Sequence, residues 1–181
     1  MNQLKVFIDP YIKYECGKMN RFASRGVVLK DDKILLVHLK KTDEYKFPGG
    51  GVETDESLIE SLRREMLEEA GVHLKEVVKE LGYIDQIKTD KYDKNQIFCM
   101  RSHYYLVHIE DEVTDIQLSQ SEQRLGFRPV WVSINEAINT NKKRIEKGSD
   151  YHWTERELWM LEYIKKCMSN DCLNEDNKKH K

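Results

Sequence analysis

Three glutamates, Glu65, Glu68 and Glu69, crowd the end of the segment from Leu58 to Ala70, where the chain reads Arg64-Glu65-Met66-Leu67-Glu68-Glu69-Ala70-Gly71. A helix C-terminus carries partial negative charge, so carboxylates are less stable there than in the first turn. A cation bound between them would offset the repulsion. Projected at about 100° per residue, Glu65 and Glu69 lie about 40° apart, with Glu68 about 60° from Glu65 on its other side. They border an apolar sector of Leu58, Leu62, Met66 and Ala70. Solvated acids belong opposite the apolar stripe, where Ser57, Ser61 and Arg64 fall instead. Oxygen donors with no His or Cys among them suit a hard ion, so the expected cofactor is Mg²⁺, with Mn²⁺ as alternative and zinc disfavoured.

Upstream, Phe47-Pro48-Gly49-Gly50-Gly51 reads as a loop, because proline lacks a donor and successive glycines favour turns and close backbone approach. Backbone N–H groups of such a loop can cradle phosphate. Thr54 and Asp55 are N-cap candidates, which places Glu56 in the first helical turn. Taken together, Gly50, Glu56, the run from Arg64 to Glu69, Gly71 and Val72 resemble the Nudix box at every defined position.

The resemblance implies a hydrolase of nucleoside diphosphates linked to another moiety, with the box forming a loop, helix and loop around Mg²⁺ and pyrophosphate. It implies Glu65 and Glu69 as principal metal ligands, Glu68 as an assistant, and the carbonyl of Gly49 or Gly50 as a further donor. Arg64 is implied to pair with Glu56 and hold the loop against the helix.

The elements that must position these groups are legible in outline. Val6 to Ile8 reads as a leading strand, and Phe22 to Leu29 and Lys33 to Leu39 as a hairpin turning at Asp31-Asp32. Leu74 to Val78, Leu81 to Lys88 and Ile97 to Ile109 read as strands, with a polar loop from Thr89 to Asn95. Phe127 to Ser133 is a further strand, followed by a helix over Ile134 to Arg144. A last helix opens on a capping box, Thr154 to Glu157, with Leu158, Leu161, Ile164 and Met168 at helical spacing. The order predicts an α/β fold, an α/β/α sandwich with a mixed sheet between helices, as in Nudix proteins. One domain is expected over 1–168, with a polar, disordered tail over 169–181.

The 181 residues carry a net charge of −2, which offers no basic footprint for a nucleic acid duplex. No apolar run is long enough to span a bilayer, and the N-terminus lacks the features of a secretory signal. Cys16, Cys99, Cys167 and Cys172 are scattered, which suits free thiols in a reducing cytoplasm. The expected partner is a small nucleotide. A homodimer is common among proteins that this chain resembles.

The chemistry predicted is attack of a metal-activated water on one phosphorus of a pyrophosphate. Glu65 is one candidate to orient or deprotonate that water, and Glu122, before the Val130-Trp131 strand, is the other. Arg25 is a candidate phosphate ligand beside Gly26, and Gly50 a backbone contact to substrate. Phe47 is a candidate stacking surface for a base, as are Tyr45, Tyr83 and Phe127, whereas Trp131 reads as strand core. A nucleoside triphosphate, oxidised or not, is the favoured substrate. ADP-ribose or a nucleotide sugar is the alternative, and a nucleotide-sensing module without turnover is the reading from another class.

Overall fold

The computed structural model describes residues 1–9, 12, 21–90, 93, 96–148, 153–170 and 173. Cys16, Cys172, residues 91, 92, 94 and 95 of the expected polar loop, and most of the expected tail lie outside them.

A five-stranded mixed sheet is the frame of the molecule. It comprises β1 (Gln3–Ile8), β2 (Arg21–Val27), β6 (Gly49–Gly51), β7 (Val72–Thr89) and β8 (Ile97–Val113), in the order β1-β7-β8-β2-β6. The β1-β7 and β8-β2 pairs are parallel, and the β7-β8 and β2-β6 pairs antiparallel. The two strands expected between Leu74 and Lys88 are one long β7, which absorbs its irregularities as register shifts, one of them beside Gly82. Chain from β2 passes through Val28 into a second sheet, in which β4 (Lys33–Leu39) pairs with β3 (Leu29–Lys30), β5 (Glu44–Lys46) and β9 (Phe127–Ser133). The expected turn at Asp31-Asp32 is present, with Asp31 at φ 54°.

Side chains alternate across the sheet and build a core on each face. On β8, Tyr105 and Val107 pack with Leu62, Met66 and Ala70 of α1 (Leu58–Ala70). Tyr104 and Leu106 pack the other way, with Ala137 and Ile138 of α3 (Ile134–Glu146) and Met160, Leu161 and Ile164 of α4 (Trp153–Ser169). Helices therefore cover both faces of a mixed sheet, the sandwich that the sequence predicts. Full burial of Leu62 and Met66 contributes about 1.5–3 kcal/mol each.

Several local expectations are corrected. The N-cap of α1 is Ser57, in a reciprocal box with Glu60, because Asp55 sits in a left-handed turn at φ 65°. Glu56 is thus outside the helix. Ser61 is fully buried, since that side of α1 faces the glycine loop, where its hydroxyl donates to the Gly51 carbonyl at 3.4 Å. Trp131 is 38% exposed on the outer side of β9. In α4, Cys167 takes the inward position and Met168 points out. Cys99 is disulfide-bonded, against the expectation of free thiols, while Cys167 is buried on the inner side of α4. Among the described residues, no helix is long and apolar enough to cross a membrane.

Candidate active site

Because Met66 and Ala70 are drawn into the core, α1 carries Glu65 and Glu69 to the edge of a cleft of about 340 Å³. Glu69 is 2% exposed. One of its oxygens accepts the Gly49 N–H at 2.9 Å, and the other accepts the Lys46 ammonium at 2.6 Å. Burial pushes its carboxyl pKa up, against the opposing pull of Lys46 and the Gly49 N–H. The Gly49 carbonyl in turn accepts from Arg25 Nη1 at 3.1 Å and from Lys46 Nζ at 3.2 Å.

Arg64 fixes the neighbouring acids. Its guanidinium grips both oxygens of Glu56 at 2.8 and 2.9 Å, donates to Glu65 at 2.8 Å and Glu68 at 3.3 Å, and reaches the Gly51 carbonyl at 3.1 Å. The expected Arg64–Glu56 pair is therefore the clasp between loop and helix. Hydrogen bonding from Arg64 holds the Glu56 carboxyl down to about 2, from an ordinary value of 4.5. A depressed carboxyl pKa contributes stability that is present above the unfolded value and is lost as pH falls through the folded one. Acid titration of the melting temperature should therefore show a component lost between about pH 4.5 and about pH 2, and absent in Glu56→Gln. An unchanged acid limb in that variant would remove the clasp from the account.

Among the described residues, no three His, Cys, Asp or Glu side chains converge into a ready ligand set. Glu68, with a 39% exposed side chain, leans to Arg64 instead. The donors that fit a hard divalent ion are then the Glu65 and Glu69 carboxylates and the Gly49 carbonyl, all oxygen. The ammonium on Glu69 already occupies the place of a cation. Gly50 keeps the approach open, since a Cβ there would collide with the Glu65 carboxylate. Gly50→Ala should displace that flexible carboxylate at little cost in stability but lower turnover about 10²-fold. Wild-type turnover in this variant would show that the position of Glu65 is immaterial.

The same cleft is lined by Arg21, Arg25, Lys88 and Arg156, with Phe98, Met100 and Trp153 as apolar lining. Arg25 is 6% exposed on an interior strand, and its Nε, 3.8 Å from Glu157, lacks a hydrogen-bond partner. Burial and the adjacent Arg156 lower its pKa. Arg156 reaches from α4 to Gln86 at 2.6 Å and Ser102 at 3.3 Å, and clasps Glu157. Glu157 also accepts the Phe47 N–H at 2.9 Å. Burial pushes the Glu157 carboxyl up, but Arg156 and Arg25 outweigh it and hold it below the ordinary range.

This corrects the capping box expected at Thr154 to Glu157. Thr154 donates to Glu44, and Glu157 is fully buried against the loop. Phe47, a candidate for base stacking, has no exposed surface and packs edge-on to Tyr104 at 5.5 Å. Tyr45 is buried beside His38, and Tyr83 lies under the Arg101 guanidinium. Glu122 does line the cleft, but on a short helix, α2 (Gln120–Leu125), where its carboxylate also accepts the Ser119 N–H at 2.8 Å. Lys46, Arg21, Lys88, Arg156 and Glu157 were not foreseen. Lys46 had a local signal, standing next to the inward Phe47; the Arg156–Glu157 pair depends on contacts from β2, β7 and β8 that spacing does not encode.

The family model for the NUDIX domain matches residues 20–155. Nudix hydrolase 18, mitochondrial, of Arabidopsis thaliana is 37% identical over 117 residues, 65% of this chain and 60% of that protein. The RNA pyrophosphohydrolase of Xylella fastidiosa (strain 9a5c) is 29% identical over 119 residues, 60% of this chain and 62% of that protein. The chain thus spans about six tenths of the length of these curated relatives. The solution structure of the E. coli ORF135 protein superposes with a TM-score of 0.56 at 20% identity, covering 87% of this chain and 97% of that one, a likeness of fold. Since the matched span of residues 20–155 takes in the glycine loop, all of α1 and the sheet that frames the cleft, the chain belongs to the NUDIX family.

Proposed function

We propose that this chain is a divalent-cation-dependent pyrophosphohydrolase acting on nucleoside triphosphates, oxidised ones included. The observation that carries the reading is one cleft lined both by the Glu65 and Glu69 carboxylates with the Gly49 backbone and by the cationic side chains of Arg21, Arg25, Lys46, Lys88 and Arg156. Such a cleft suits a polyanion lying between a cation site and fixed positive charge.

Glu65, Glu69 and the Gly49 carbonyl would hold the ion, Mg²⁺ or Mn²⁺, with Glu68 assisting. When bound, the ion supplies neutralisation of phosphate charge and makes water a better nucleophile. Arg25 meets a phosphate oxygen of the substrate. The backbone at Gly50 leaves room for the polyphosphate to approach. Glu65 or Glu122 takes the proton of the attacking water as its oxygen bonds to phosphorus and the bridging P–O bond breaks.

The 5′-triphosphate of an RNA presents the same chemistry, and the Xylella relative bears the name RNA pyrophosphohydrolase. It therefore belongs among the test substrates, with ADP-ribose and nucleotide sugars. The test is product identification from that set with Mg²⁺ or Mn²⁺. Release of pyrophosphate or phosphate from a triphosphate supports the reading. Metal-dependent nucleotide binding with no product from any substrate would favour the sensing module and defeat it.

A further inference from the structure

We infer that Lys46 is the protein's own cation for the metal site, holding Glu69 and the Gly49 carbonyl until a divalent ion displaces it. This rests on the reading of Glu65, Glu69 and Gly49 as metal ligands. One ammonium contacts two of those three donors, Glu69 at 2.6 Å and the Gly49 carbonyl at 3.2 Å. The pair is secluded, with side-chain exposures of 13% for Lys46 and 3% for Glu69. A buried carboxylate without a countercharge is strongly destabilising, so the ammonium stabilises the fold around Glu69.

The same contact sets a barrier to the ion. Two cations cannot both take the inner position on one carboxylate oxygen, and the arriving ion must break a charge-assisted hydrogen bond before it can bind. Lys46 already has a second partner. Its ammonium lies 4.8 Å from the centre of the Phe127 ring, a cation–π contact made together with the bond to Glu69. Released from Glu69 but held by that ring it stays beside the cleft, so ion binding presents a cation to an incoming polyphosphate. Lys46 is in this sense a positioning residue that couples the ion to the substrate.

The experiment is a Mn²⁺ titration of the full chain without nucleotide, by calorimetry or electron paramagnetic resonance. It compares wild type with Lys46→Met, Lys46→Arg, Arg21→Met and Glu69→Gln. Losing one charge-assisted contact should tighten Mn²⁺ binding about ten-fold in Lys46→Met. Lys46→Arg should stay near wild type. Arg21→Met removes the same charge from the same cleft without touching Glu69, and should shift affinity no more than about two-fold. In chelator, the Lys46→Met melting temperature should fall, and added Mn²⁺ should raise it by more than in wild type. Should Lys46→Met not fold, Lys46→Gln keeps a polar end one atom shorter, without the charge, and is expected to move the same way.

Equal shifts in Lys46→Met and Arg21→Met would reduce the effect to bulk charge and overturn the inference. Unchanged or weaker binding in Lys46→Met, with binding lost in Glu69→Gln, would overturn it while sparing the ligand assignment. Wild-type binding in Glu69→Gln would overturn the assignment itself.

Discussion

Glu69→Gln is expected to lower metal-dependent turnover by about 10³-fold while leaving the fold intact. The carboxylate is 2% exposed and in contact with the Gly49 N–H, so it borders the cleft at a point fixed by backbone. On the proposed reading, removing its charge takes away a hard-ion ligand, and the amide nitrogen that replaces one oxygen cannot take its place. Stability should change little, for opposing reasons. Burial disfavours the charged carboxylate, as its raised pKa records, so its loss relieves desolvation. Against this, Lys46 loses its anion, but it retains the Gly49 carbonyl and the face of Phe127. Initial rates on the best substrate, with melting curves alongside, decide the matter. Turnover within ten-fold of wild type would strike Glu69 from the ligand set, and a collapsed melting curve would show that its role is structural.

The acid wall of the site was legible because its information is local. Helical spacing places Glu65 and Glu69 beside Leu62 and Met66, and that geometry holds whatever the tertiary context. The Arg64–Glu56 clasp likewise spans a single loop and two turns of helix. Strands marked by β-rich apolar runs, such as β4 and β9, also emerged close to their true bounds. The basic lining was mostly hidden. Arg25 stands out in the sequence as a candidate phosphate ligand, but its burial follows only once β6 and β8 flank it, and Arg156 gains meaning only where α4 crosses Gln86 and Ser102. Thr154 and Glu157 carried a valid local capping signal that tertiary contacts overrode, since two buried arginines and the Phe47 N–H compete for the same carboxylate. Phe47 and Trp131 were exchanged in role for a related reason. Sequence does not reveal which side of a short strand will be covered, and Trp131 lies on the uncovered side.

The largest loss of stability is expected from Glu157→Gln. Beneath the cleft two guanidinium groups share one carboxylate: Arg156 clasps it, Arg25 lies 3.8 Å away, and all three side chains are buried. Glutamine keeps the volume and can still accept the Phe47 N–H, so the variant isolates the charge. It leaves two buried cations with no anion, a defect of about 3–5 kcal/mol, which for a chain of this size lowers the melting temperature by roughly 10 °C or more. Arg156→Met is the informative comparison. It deletes the tighter of the two partners, yet it leaves Arg25 and Glu157 as a neutral pair, and methionine fills much of the arginine volume. The order of loss should therefore be Glu157→Gln well above Arg156→Met, although hydrogen bonds alone would rank Arg156 first, since it also holds Gln86 and Ser102. Thermal unfolding of the two variants under identical buffer and salt reads that order directly. If Arg156→Met is the more damaging, hydrogen bonding and packing, not charge balance, hold α4 to the sheet. At a temperature where Glu157→Gln is still folded, its turnover should also fall, because the Phe47 N–H and Arg25 are the two links through which α4 sets the position of Gly49.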